Sequence, residues 1–241
     1  MTTVILVGLG IVAVAALLGG MTGFGFSIVA TPLLLALGVA PSTTVAVTLT
    51  IALVTRAQVV YRLRRFIRWP RALPLTAASL PGLVVGAGVG AALDPHYLRI
   101  GTGVLVVVAA PVMLLTRPRA QRGSPARYVL SGFAGGALAT TTSLNGIPPA
   151  LGLSADATDQ RSFIADLAVY FVLSNIAGLS ILLARDGLSL HHLGLLAWWL
   201  PCALEANRAG TALAPRIDPA RFRLITCGLV IAAGVATLTS A

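Results

Sequence analysis

Gly19-Gly20-Met21-Thr22-Gly23-Phe24-Gly25-Phe26-Ser27, running on to Ala30-Thr31-Pro32, decides how the rest of the chain is read. It sits between two strongly apolar segments, yet within nine residues it holds four glycines and two hydroxyl side chains, and Pro32 follows. Glycine weakens a helix interior and proline removes one of its hydrogen bonds, so an undisturbed helix is not expected here. A weaker version of the pattern returns at Gly135-Gly136 through Thr140-Thr141-Thr142-Ser143-Leu144-Asn145-Gly146-Ile147-Pro148-Pro149. The chain therefore reads as two halves, each built around one break.

The surroundings of the breaks fix the class. Of 241 residues, 57% are hydrophobic and 10% charged, and the mean hydropathy is +0.92. A soluble domain carries about 25% charged residues. Apolar runs such as Val4 to Leu18, Val104 to Leu115 and Leu224 to Leu238 recur, and a bilayer-crossing helix needs about 20 mostly apolar residues. The expected fold is an all-α polytopic membrane protein. The formal charge of +10 would suggest nucleic acid in a soluble protein, but the arginines lie mostly in short loops, where they report topology. The first 20 residues lack a charged leader and read as a retained span. Cys202 and Cys227 stand singly in apolar segments and read as core packing.

Apolar segments are expected near 4–20, 24–39, 42–61, 72–92 and 97–116, then near 128–143, 146–154, 160–184, 188–213 and 222–240. This divides the chain into a first repeat (1–116), a cytoplasmic linker (117–127) and a second repeat (128–241). Pro32 pairs with Pro148, Leu37 with Leu153, and Leu98-Arg99 with Phe222-Arg223. Gly82, Gly86 and Gly90 match Cys202, Ala206 and Gly210, a small-residue spacing that lets helices approach closely.

Arginine placement gives orientation. Arg62, Arg64, Arg65, Arg68 and Arg71 follow the third segment, and Arg117, Arg119, Arg122 and Arg127 fill the linker; both belong in the cytoplasm. In the second half the basic loop, with Arg216, Arg221 and Arg223, comes after the fourth segment instead. That displacement is what two inverted repeats produce, with both termini outside. Each half then needs an odd number of crossings: five if the two arms of a break are separate, three if they form a re-entrant hairpin. The short segments 128–143 and 146–154 favour a broken or re-entrant pair followed by three spanning helices.

Gly23-Phe24-Gly25-Phe26-Ser27-Ile28-Val29-Ala30-Thr31-Pro32-Leu33-Leu34 resembles the opening signature of the sulfite exporter TauE/SafE family. The second copy, Gly132-Phe133-Ala134-Gly135-Gly136 through Pro148, is similar to the family's second signature but has Thr140 to Asn145 where a glycine-rich segment is usual. The resemblance spans essentially the whole chain. It implies an inner-membrane transporter or exporter, with sulfite and small organosulfur anions as substrates.

Helix N-termini left at membrane depth attract anions. The expected substrate-binding residues are Thr22, Gly23, Gly25, Ser27 and Thr31 in the first break, and Thr141, Thr142, Ser143, Asn145 and Gly146 in the second. The competing reading gives the glycines to helix packing and the hydroxyls to freed backbone carbonyls. Asp166, a carboxylate within a span, reads either as a coupling or pathway residue or as a group close enough to the interface to reach water. Gln58 and Asn175 pair across the repeats and either line the path or bridge helices. Glu205 and Arg208, three apart, read as a structural ion pair, and Arg56 as a snorkelling residue reaching the cytoplasm. Trp198 and Trp199 belong to an interfacial belt, the default reading, or to the core, and His191-His192 read as a solvated pair rather than a metal site.

The leading function is a secondary transporter moving a small anion by alternating access, with proton coupling and a homodimer left open. A membrane-embedded non-transport subunit and a lipid-acting membrane enzyme are the competing readings. The sequence has no Walker motif, and no catalytic residue, cofactor, metal or nucleic acid is expected.

Overall fold

The computed structural model describes residues 2–115, 124–154, 160–184, 190–213, 231 and 235. These form helices α1 (Thr2–Thr22), α2 (Gly25–Ala36), α3 (Pro41–Leu63), α4 (Trp69–Ala92), α5 (Pro95–Leu115), α6 (Pro125–Thr142), α7 (Ile147–Ser154), α8 (Gln160–Ala184) and α9 (Leu190–Leu213), with a 3-10 turn at Arg64–Phe66. No strand occurs among the described residues. Apart from Ile231 and Val235, the expected tenth segment, near 222–240, lies outside them, as does most of the linker.

Among the described residues, four helices are long and apolar enough to cross a membrane: Val4–Thr22, Pro41–Phe66, Trp69–Ala92 and Arg161–Ala184. Their outward faces carry large apolar side chains such as Leu6, Leu80, Val84, Ile176 and Leu183. In water this surface would be costly; in lipid it is the solvated one. The inward faces close a core of Val12, Ile28, Leu34, Ile51 and Leu144 around the junction of α1, α2 and α3. A second cluster joins Leu75, Leu153, Leu167, Tyr170 and Phe171.

Two helix pairs touch through backbone. In α4, a Cβ on Gly82 or Gly86 would collide with the carbonyls of Phe133 and Ala137 on α6; in α6, one on Gly132 or Gly136 would collide with those of Leu75 and Ser79. Thr140 Oγ1 also donates to Leu83 O at 2.9 Å. The α1–α9 pair repeats the arrangement, with Gly20 against Asn207 O and Gly210 against Leu17 O. Trp199 fills the space over Gly8 and donates its ring N–H to Ile5 O at 3.1 Å. It is fully buried, against the default belt reading; Trp198, 63% exposed, is the one that faces outward. Between these pairs α3 packs on α8, α4 on α8 and α3 on α9.

Candidate functional site

Both breaks are local consequences of their sequences. Thr22 ends α1, and its hydroxyl donates to Leu18 O (2.9 Å) while accepting from Gly25 N (2.8 Å) and Phe24 N (3.3 Å). Gly23 turns the chain at φ +87°, a conformation open to glycine, and a Cβ on Gly25 would strike the Thr22 hydroxyl. In the second break Thr142 ends α6 and does the same: its hydroxyl donates to Leu138 O (3.2 Å) and accepts from Leu144 N (3.4 Å). The residue after it, Ser143, takes the left-handed conformation at φ 62° without being glycine. Thr22-Gly23 and Thr142-Ser143 thus end α1 and α6 in the same way. Pro32 lies inside α2, whereas Pro148 and Pro149 sit in the first turn of α7, where the missing N–H removes no helical bond.

The arms fold back. Val4 and Ile5, near the start of α1, and Gly38, Val39 and Ala40, just beyond α2, line one shared cavity. Gly152 near the end of α7 approaches Ser131 near the start of α6. At 1.5 Å per residue, α2 and α7 are about 18 Å and 12 Å long, short of a 30 Å hydrocarbon core.

The two breaks meet. A Cβ on Gly146 would lie 3.2 Å from both Cβ and the carbonyl of Phe24, and 3.1 Å from the Phe171 ring. Around this contact the polar side chains bond to the central helices. Ser143 Oγ shares a 2.6 Å hydrogen bond with Thr48 Oγ1 of α3. Asn145 Nδ2 donates to Asn175 Oδ1 (2.8 Å), and Asn175 Nδ2 donates to Leu49 O (3.4 Å). Ser143, Asn145 and Asn175 are all fully buried. Thr31 Oγ1 and Asn145 Oδ1 have no hydrogen-bond partner among the described residues. Ser27 is buried on α2, and Thr141 Oγ1 donates to Ala137 O within its own helix. The hydroxyls of Thr22, Thr141 and Thr142 each donate to a backbone carbonyl of their own helix.

Gln58, Asn175 and Asp166 are not brought together. Asp166, fully buried on α8, accepts the backbone N–H of Arg68 at 2.6 Å and so ties down the residue that precedes α4. Asn175 bridges the second break to α3, while Gln58 lines a cavity beside the first.

That cavity, of about 390 Å³, is bounded by Gly20, Met21, Arg56, Gln58, Arg161 and Asn207, with Arg62 and Arg208 also lining it. Arg56 is 2% exposed, so it does not snorkel as expected. Its guanidinium turns inward against α1, where a Cβ on Gly19 would lie 3.1 Å from Nη2. The sequence hides this, since a long basic side chain near a helix end suits either course. The Glu205–Arg208 pair is present and exposed. A second cavity, of about 270 Å³, is bounded by Pro41, Ser42, Val45, Gly90, Thr140 and Thr141 among others, and no charged side chain lines it. Ser42 and Leu63 bound different cavities from opposite ends of α3, about 30 Å apart at 1.5 Å per residue.

No group of three metal-ligating side chains occurs among the described residues, the side chains of His191 and His192 lying outside them. Cys202 is a free, half-buried thiol, and Cys227 is outside the described residues.

Apolar outward faces, backbone-tight helix pairs and two broken-helix hairpins define a multi-pass helical membrane protein. A family model described as sulfite exporter TauE/SafE matches residues 8–237, and the chain belongs to that family of membrane transporters. Neither the curated proteins nor the solved structures compared with it gave a match.

Proposed function

We propose that this protein is a secondary transporter that moves a small anion, sulfite or an organosulfur anion, across the cell inner membrane by alternating access. The observation that carries the reading is the direct contact of the two breaks, Phe24 against Gly146, with a cavity flanking each break. Separating that contact on one side while keeping it on the other would expose the same helix termini alternately.

Two inverted repeats, 1–116 and 128–241 joined by the linker 117–127, supply the moving parts. The duplicated contacts support this: α1 on α9 matches α6 on α4, and α3 on α9 matches α8 on α4. The anion donors are the first-turn N–H groups of Phe26 and Ser27 on α2 and of Ile147 on α7, since Thr22 Oγ1 takes the Gly25 N–H, Pro148 and Pro149 carry none and the Ala150 N–H bonds Gly146 O. Thr22, Gly23 and Gly25 shape the first terminus, and Thr141, Thr142, Ser143 and Gly146 the second. Ser27, Thr31 and Asn145 add side-chain contacts, with Gln58 and Asn175 along the path. A negative interior favours outward movement of an anion, so export needs no coupling ion, whereas import does. Asp166, the buried carboxylate among the described acids, is the coupling residue in the import case.

Proteoliposomes loaded with radiolabelled sulfite or sulfoacetate test the function. Potential-sensitive efflux above protein-free vesicles is expected, and the absence of flux for both anions contradicts the reading. Coupling is tested separately: Asp166→Asn should remove the pH dependence of uptake, and an unchanged dependence excludes Asp166 from it.

A further inference from the structure

Arg56 is placed where a cation needs a reason to be. It lies on α3 seven residues before Leu63, about 10 Å into the helix at 1.5 Å per residue. It is 2% exposed, no carboxylate pairs with it among the described residues, and its Nη2 has no hydrogen-bond partner among them. A buried cation at membrane depth is costly unless something neutralises it. On the wall of the same cavity, Gln58 Oε1 and Asn207 Oδ1 are likewise buried without partners among the described residues, and Asn207 is 3% exposed. All three bound the 390 Å³ cavity, whereas one water needs roughly 10–15 Å³ on the same measure.

We propose that this cavity is an anion-binding site for a small organosulfonate, its oxyanion head on Arg56 and its short carbon chain on Met21, Val59, Leu63 and Ile164. The guanidinium offers donors in a planar fork that matches two oxygens of a sulfonate. The amides of Gln58 and Asn207 turn their nitrogens to the third oxygen or their oxygens to a polar substituent on the ligand. The apolar wall is what separates an organosulfonate from bare sulfite. Arg62 and Arg161, exposed along the cavity on the face of the α3–α4 loop, raise the local anion concentration, while Glu205 partly offsets Arg208. The head would lie beside Gly19, at the edge of the first break, and the uncharged cavity beside the second break offers no equivalent anchor. The site rests on the anion-transport reading for its role, although its binding can be measured without flux.

The test is calorimetric titration of ethanesulfonate, sulfite and chloride into purified protein in detergent, alongside sulfonate flux in proteoliposomes. Ethanesulfonate should bind at least tenfold more tightly than sulfite or chloride. Arg56→Gln should weaken it at least thirtyfold, Arg56→Lys less, and Arg65→Gln, on the exposed loop, not at all. Asn207→Asp, which places a carboxylate beside Arg56, should also abolish binding, and it decides the question if Arg56→Gln is not monodisperse. Ethanesulfonate binding that survives in folded Arg56→Gln or Asn207→Asp overturns the site, as does a wild type that binds none. Wild-type flux that persists unchanged in those variants sinks this site and leaves the transport reading standing. Arg56-dependent binding without any wild-type flux has the opposite meaning.

Discussion

Ser143 shows what a single residue reveals and conceals. A non-glycine residue in the left-handed region costs about 1–2 kcal/mol, and Ser143 is held there with its hydroxyl on Thr48. Ser143→Ala should lower stability by about 1 kcal/mol, keeping the strained backbone while losing a buried hydrogen bond. Ser143→Gly should stay within about 1 kcal/mol of wild type, because relief of strain offsets that loss. Thermal unfolding in detergent orders the two variants, and a more stable alanine variant contradicts the account. That Ser143 turns the chain at positive φ, as Gly23 does, was not legible in sequence, since serine carries no mark of that conformation. Gly23 was legible because glycine is the usual residue for such a turn. Arg56 was misread for another reason: its direction depends on α1 and α9, which the local sequence of α3 does not specify.

Among elements, the breaks were readable because glycines crowd there beside hydroxyl residues, whereas the single prolines Pro74, Pro81 and Pro201 lie inside unbroken helices. The small-residue stripes were readable too, and Gly82, Gly86 and Gly210 do make close backbone contacts. Their partners were not, because a stripe says that something approaches closely and not what. Gly82→Ala places a methyl against Phe133 O, so it should reduce the yield of monodisperse protein despite alanine's better helix propensity. Gly88→Ala, on the same helix with nothing within 4 Å, should be neutral or slightly stabilising. Fluorescence-detected size exclusion compares them. Equal loss in both would mean that the α4–α6 contact is not what the glycines serve.

For the whole molecule, arginine distribution and hydropathy implied a multi-pass helical protein before any contact was known, because lipid imposes its requirements on every segment. That α1 packs on α9 and α6 on α4 was not implied, since each helix could also have packed on nearer neighbours in the chain. The inversion predicts opposite exposure for equivalent loops. In a background with Cys202 and Cys227 replaced by serine, an impermeant thiol reagent on intact cells should label Asp186→Cys, and Arg65→Cys only after permeabilisation. Labelling of both, or of neither, before permeabilisation contradicts inverted repeats.

The claim at the centre is that the meeting point of the two breaks lies on the anion's path. Asn145 is fully buried there and joined to Asn175, so Asn145→Leu removes an amide at that point without adding charge. Radiolabelled sulfite or sulfoacetate flux should be measured in proteoliposomes holding equal amounts of monodisperse wild type and Asn145→Leu. The account predicts flux in the wild type and none above protein-free vesicles in the variant. Wild-type rates in the variant would take the second break off the path and contradict it.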